Sequence, residues 1–114
     1  MKLTAREINR WLKYWQKRLS LQDWSIDWEW RRAKQLGHPR RSAEISWNNV
    51  QEATLGILPG TDRYQPWEMD PEVDLVHELV HLKLSRAQFT LEEDLEWAVD
   101  SIARALVNER RGLK

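Results

Sequence analysis

Apolar positions recur with a helical period toward both ends of the chain and with a period of two in the middle. Thr4-Ala5-Arg6-Glu7 is a capping box, Thr at the N-cap and Glu three residues on. It opens a helix in which Ile8, Trp11, Leu12, Trp15 and Leu19 share one face, with Lys and Arg on the opposite one. That single stripe reads as a face packed on a core, not as a helix lying on a membrane. After Asp23 the period changes: Ile26, Trp28 and Trp30 alternate with Asp27, Glu29 and Arg31, as in a half-buried strand. Gly37 to Arg41 breaks it, and His38, beside Pro39 in that break, reads as a solvated loop residue and not as a ligand. Ala43, Ile45 and Trp47 give a second strand, Asn48-Asn49 a turn, and Ala53, Leu55 and Ile57 a third strand ending at Pro59-Gly60. The loop from Gly60 to Met69 holds Tyr64 and Trp67, either of which could line a cleft or cover the core; for Trp67 covering the core is preferred.

Asp70-Pro71-Glu72 then reads as a helix start, with an N-cap carboxylate, Pro at the first helical position and an acid in the positive first turn. Val73, Leu75, Val76, Leu79, Val80, Leu82 and Leu84 cover most of this helix's circumference. At about 100° per residue, Asp74, His77, Glu78, His81 and Ser85 fall on the remaining arc. A helix buried nearly all round with one narrow polar strip is expected. The last helix opens with Thr90 as N-cap and Glu93 at N3, carries Leu91, Leu95, Ala98, Val99, Ile102 and Leu106 as its stripe, and ends near Arg110 to Gly112. The whole is one α+β domain over residues 1–114.

Composition narrows the chemistry. Lys and Arg number 18, as do Asp and Glu, so no bulk charge argues for nucleic acid or an anionic membrane. No apolar run is long enough to span a bilayer, and the charged start carries no secretory signal, so a cytoplasmic protein is expected. Without cysteine, any metal must be held by imidazole and carboxylate. Eight Trp in so short a chain suggest a small core filled with large side chains.

The polar strip contains His77-Glu78-Leu79-Val80-His81, an H-E-x-x-H motif that uses two of the three histidines. Four residues apart on a helix, both imidazoles can face one ion, with Glu78 beside them to take a proton from water. This is the donor set of a zinc metallopeptidase. The competing expectation is two core-edge histidines that happen to be four apart beside a salt-bridging glutamate. In the last helix Glu93 is occupied by its cap, while Glu96, Asp100 and Glu92 lie on one side, Glu92 in the first turn where acids are common. From the residues alone, Glu96 and Glu92 both remain open as a further ligand.

H-E-x-x-H followed by a helix carrying Glu96-Trp97-Ala98-Val99-Asp100 resembles the gluzincins, the thermolysin-like zinc peptidases. The order of elements resembles the minimal stand-alone members, or minigluzincins, over nearly the whole chain, although the specific residues lie between Asp70 and Leu106. The resemblance implies a zincin-like fold in which His77, His81 and Glu96 bind Zn2+, Glu78 is the general base and acid, and Asp100 holds an imidazole N–H. It further implies a peptide or protein substrate lying extended along an exposed sheet edge, for which the strand before Pro59 is taken. Fourteen residues separate His81 from Glu96, fewer than in the larger gluzincins, and no histidine follows His81 to stabilise an oxyanion as in those enzymes. A latent or inactive zincin-like metal-binding domain, and a Trp-rich interaction protein with a fortuitous H-E-x-x-H, are the other readings.

Overall fold

A computed structural model describes residues 3–32, 43–48, 50–59, 70–85 and 92–112, the side chains of 92–94 excepted. Thr90, Leu91, His38, Tyr64 and Trp67 lie outside these residues, as do the side chains of Glu92 and Glu93. The described elements are α1 (Ala5–Arg18), β1 (Ser25–Trp30), β2 (Ala43–Trp47), β3 (Glu52–Ile57), α2 (Pro71–Lys83) and α3 (Glu92–Arg110). They form an α+β arrangement of three helices and one mixed sheet.

Local signals fix the ends of the elements. The Thr4 hydroxyl accepts from the Glu7 amide at 3.2 Å and the Glu7 carboxylate accepts from the Thr4 amide at 3.3 Å, closing the expected capping box. At the other end of α1 the Leu21 amide donates back to the Gln16 carbonyl at 2.8 Å, with Ser20 in the left-handed region at φ 56°. This is a Schellman-type stop without glycine. Asp70 caps α2, its Oδ1 accepting from the Val73 amide at 3.2 Å.

The sheet runs β1-β3-β2, with β1 parallel and β2 antiparallel to β3. The β2–β3 turn is held by the Asn48 side chain, whose Oδ1 accepts from the amides of Val50 at 3.0 Å and Glu52 at 3.1 Å. β3 is therefore the central strand, not the edge that the sequence suggested. Its Ala53, Leu55 and Ile57 are buried on the core face, and Gly56 is buried on the other face, where Arg31 lies so close that a Cβ would meet its Cδ at 2.5 Å. Among the described residues the edges are β1 and β2. A proline placed after a strand ends it but says nothing of its neighbours.

The core lies between the sheet and α2, which packs on α1, α3 and β2. Ile8, Leu12 and Trp15 of α1 enter it as expected. Among the described residues its filling differs from expectation, because it is mainly aliphatic. Trp15 is fully buried, whereas Trp30, Trp47 and Trp97 are 39%, 45% and 74% exposed. Trp28 is only partly buried, and its indole N–H donates to Asn9 Oδ1 at 2.7 Å, tying β1 to α1. On α3 the buried line is Val99, Ala103 and Val107, and Ile102 is 41% exposed. The stripe is rotated by about one residue from the expected one, because small side chains sit where α3 meets α2 and the bulkier Ile102 turns outward.

A buried polar cluster joins the three helices. Glu72, 1% exposed, accepts from the Trp15 indole at 2.8 Å, from Arg110 Nε at 2.7 Å and through a short contact from Arg110 Nη2, and from Arg111 Nη2 at 3.1 Å. Arg111 also donates to both oxygens of Asp70, at 2.7 and 3.0 Å. Glu72 is thus more than a helix-dipole acid, the role its first-turn position suggested.

Candidate metal centre

His77, Glu78 and His81 lie on the face of α2 turned toward α3, with side chains 17%, 9% and 16% exposed. The apolar run that buries the rest of α2 leaves these residues at its edge, where helical spacing stacks the two imidazoles one above the other. Their rings are tilted by 58° with centroids 4.9 Å apart, and the two Nε2 atoms approach to 3.2 Å. Each of His77, Glu78 and His81 offers a ligand atom within 4.8 Å of the others. Such a group could hold a metal ion.

α3 brings a second carboxylate to this point. Glu96 Oε2 lies 3.1 Å from His77 Nε2, and Glu96 Oε1 lies 2.9 Å from His81 Nε2. Two nitrogens and a carboxylate thus crowd one small volume. Tetrahedral zinc with ligands at about 2.0–2.1 Å sets its ligand atoms about 3.4 Å apart, close to the spacings found here. The residues present fit the ion. Three lone-pair-bearing groups brought together at the edge of a core need a proton or a cation between them, and the absence of cysteine leaves a nitrogen and oxygen donor set.

Glu78 is offset from this group, its Oε2 lying 3.8 Å from His77 Nε2. Asp100 Oδ1 stands 3.6 Å from His77 Nδ1, on the opposite side of the ring from Glu96. That is an ion-pair separation rather than a hydrogen bond. The other oxygen of Asp100 accepts from Arg104 Nε at 2.8 Å, and the hydrogen bond and charge of Asp100 hold the Arg104 guanidinium above its ordinary value against the opposing effect of burial. The structure therefore brings together His77, Glu78, His81, Glu96 and Asp100.

Two contributors escaped the sequence reading. Arg104 was legible as the partner of Asp100 four residues earlier on the same helix. The Glu72 cluster was not, since Glu72 and Arg110 are far apart in sequence and meet only once α2 and α3 pack. Burial tends to raise the Glu72 carboxyl, but hydrogen bonds from Arg110, Trp15 and Arg111 outweigh it and hold Glu72 below the usual glutamate value. Asp70 is likewise held low by Arg111 and the Val73 amide against the opposing effect of its own burial.

No protein-family model, curated protein or solved structure matches the chain.

Proposed function

We propose that the protein is a zinc-dependent metallopeptidase with a zincin-like fold, in which His77, His81 and Glu96 hold the ion. The observation that carries this reading is that one Glu96 oxygen lies 3.1 Å from His77 Nε2 and the other 2.9 Å from His81 Nε2, with the two nitrogens 3.2 Å apart, across two helices. Two histidines that were four apart by accident would not require a carboxylate from a distant helix to face the same point.

When bound, zinc supplies a Lewis acid that polarises a carbonyl and brings the pKa of a water toward about 7. Glu78, beside the ligand atoms and 9% exposed, takes the proton from the attacking water and returns it to the leaving amine. Its restricted solvent contact favours that proton transfer by weakening competition from bulk water. Asp100 faces His77 Nδ1, so it favours the tautomer with the proton there and leaves Nε2 free to bind.

An extended peptide would add to a sheet edge. Since β3 is central, β2 is assigned that role because it is an edge strand and packs on α2. Among the described residues no helix is long and apolar enough to cross a membrane. The proposed location is the cytoplasm.

The test is metal analysis of tag-free protein together with hydrolysis of a mixed peptide library. Wild type should retain one equivalent of zinc and cleave peptides, and Glu78→Gln should retain the zinc and lose cleavage. Zinc without cleavage by wild type would favour a latent domain. Wild type without zinc would overturn the reading and leave an interaction module.

A further inference from the structure

We propose that the Glu72–Arg110–Arg111 cluster is a positioning clamp that sets the register of α3 on α2 and thereby places Glu96 at the ion; this rests on the metallopeptidase reading. The C-terminal turn of α3 meets the N-terminal turn of α2 through Arg110, Arg111, Asp70 and Glu72, while Glu96 near the start of α3 meets His81 near the end of α2. The two helices therefore run antiparallel, held by polar groups at both ends of their contact.

The apolar seam between those ends carries little register information. Val99, Ala103 and Val107 are all 0% exposed, and each is one helical turn from the next. Sliding α3 by one turn would exchange small aliphatic side chains for one another at two of these three places, with Leu95 or Arg111 entering the third. Such a slip would move the Glu96 carboxylate by about 5.4 Å, beyond reach of both imidazoles, and in one direction would bring the shorter Asp100 toward its place. The directional contacts that forbid it are those of Glu72, whose oxygens accept from Trp15, Arg110 and Arg111. Arg110 also stacks over the Tyr14 ring at 5.9 Å, so the clamp reaches α1 as well. Buried ion pairs contribute weakly to net stability, and their best attested use is the choice of register among packings of similar energy.

Arg110 and Arg111 lie roughly 20 Å along α3 from Glu96, about four helical turns, while Glu72 lies on α2 five residues before His77. A change of register passes to the ion through Glu96, whereas a disturbance carried along α2 passes through the histidines. That makes the clamp separable from general support of the domain, which would affect the histidine sites whether or not Glu96 is present.

The experiment is a double-mutant cycle on zinc affinity, using the metal alone with tag-free, metal-stripped full chain. Four proteins are compared: wild type, Glu72→Gln, Glu96→Gln and the double variant. Glu72→Gln should weaken zinc binding about 10-fold in the presence of Glu96, and scarcely at all in the Glu96→Gln background. Arg111→Lys, which keeps the charge but not the paired hydrogen bonds to Asp70, should show the same pattern in smaller measure and serves if Glu72→Gln does not fold. Equal weakening in both backgrounds would reduce the cluster to general support and overturn the clamp. Unchanged affinity in folded Glu72→Gln would also overturn it. Failure of wild type to bind zinc would strike the metallopeptidase reading itself, and the clamp with it.

Discussion

Glu96 Oε1 lies 2.9 Å from His81 Nε2, a contact between helices that the chain brings together only by folding. Asp100, one turn further along α3, faces the far nitrogen of His77 at 3.6 Å and is shared with Arg104. The two acids thus occupy different places around the imidazoles. Zinc affinities should rank wild type above Asp100→Ala, and Asp100→Ala above Glu96→Ala. Removing an acid that only orients a ligating histidine costs about 10- to 100-fold in affinity, and removing a direct ligand costs more. Competition titrations with a chelator of known affinity read this order, and its reversal would exchange the two roles.

Replacing His77 and His81 together by Ala should abolish stoichiometric zinc while leaving the fold in place. Both side chains are partly exposed, at 17% and 16%, and neither belongs to the aliphatic core. Far-ultraviolet circular dichroism should be unchanged while the metal content falls to background. A full equivalent of zinc retained by the folded double variant would place the ion elsewhere.

Much of this arrangement was legible in the sequence because its signals are local. Thr4 with Glu7, and Asp70 with Pro71, mark helix starts through bonds made within one turn. The polar strip on α2 was visible because most of the rest of that helix is apolar. What was hidden depends on which element packs where. The alternation places Trp30 beside Ile57 and Trp47 beside Ala53, on the core face of the sheet, yet both stand at strand ends and remain partly in solvent. Ala103 is fully buried but too small to announce itself beside Ile102. The position of β3 at the centre of the sheet follows from a parallel pairing with β1, which no local pattern encodes.

Glu72→Ala should be among the more damaging single substitutions. It removes the acceptor shared by Trp15, Arg110 and Arg111 and leaves the buried Trp15 indole N–H without it, while the arginines keep part of their solvent contact. Leaving a buried donor unsatisfied and breaking these part-exposed pairs should cost about 2 kcal/mol. Trp15→Phe should cost a comparable amount, on the order of 2–3 kcal/mol, because it removes both the indole N–H and buried ring volume. Urea unfolding followed by circular dichroism gives both values. A Glu72→Ala cost below about 1 kcal/mol would show that the arginines contribute little to Glu72.

The same cluster predicts how stability depends on acid. Glu72 is held below its ordinary value of 4.5, and Asp70 below its ordinary 3.8, so the folded state binds these protons more weakly than the unfolded chain does. For a depressed carboxylate the stabilisation is fully present above the unfolded value and is lost as pH falls through the folded one. Wild type should therefore keep its stability down to about pH 5 and lose it progressively below 4.5. Glu72→Gln cannot lose that contribution, because its amide does not titrate. At neutral pH the variant should be the less stable protein, and its decline on acidification should be shallower. The two unfolding curves should converge at low pH, where a protonated Glu72 and a glutamine present nearly the same uncharged group to Arg110. Urea midpoints measured from pH 7 to pH 3 read this directly. Curves that stay parallel across that range would show that Glu72 titrates alike in the folded and unfolded states, and that its arginines do not hold it charged.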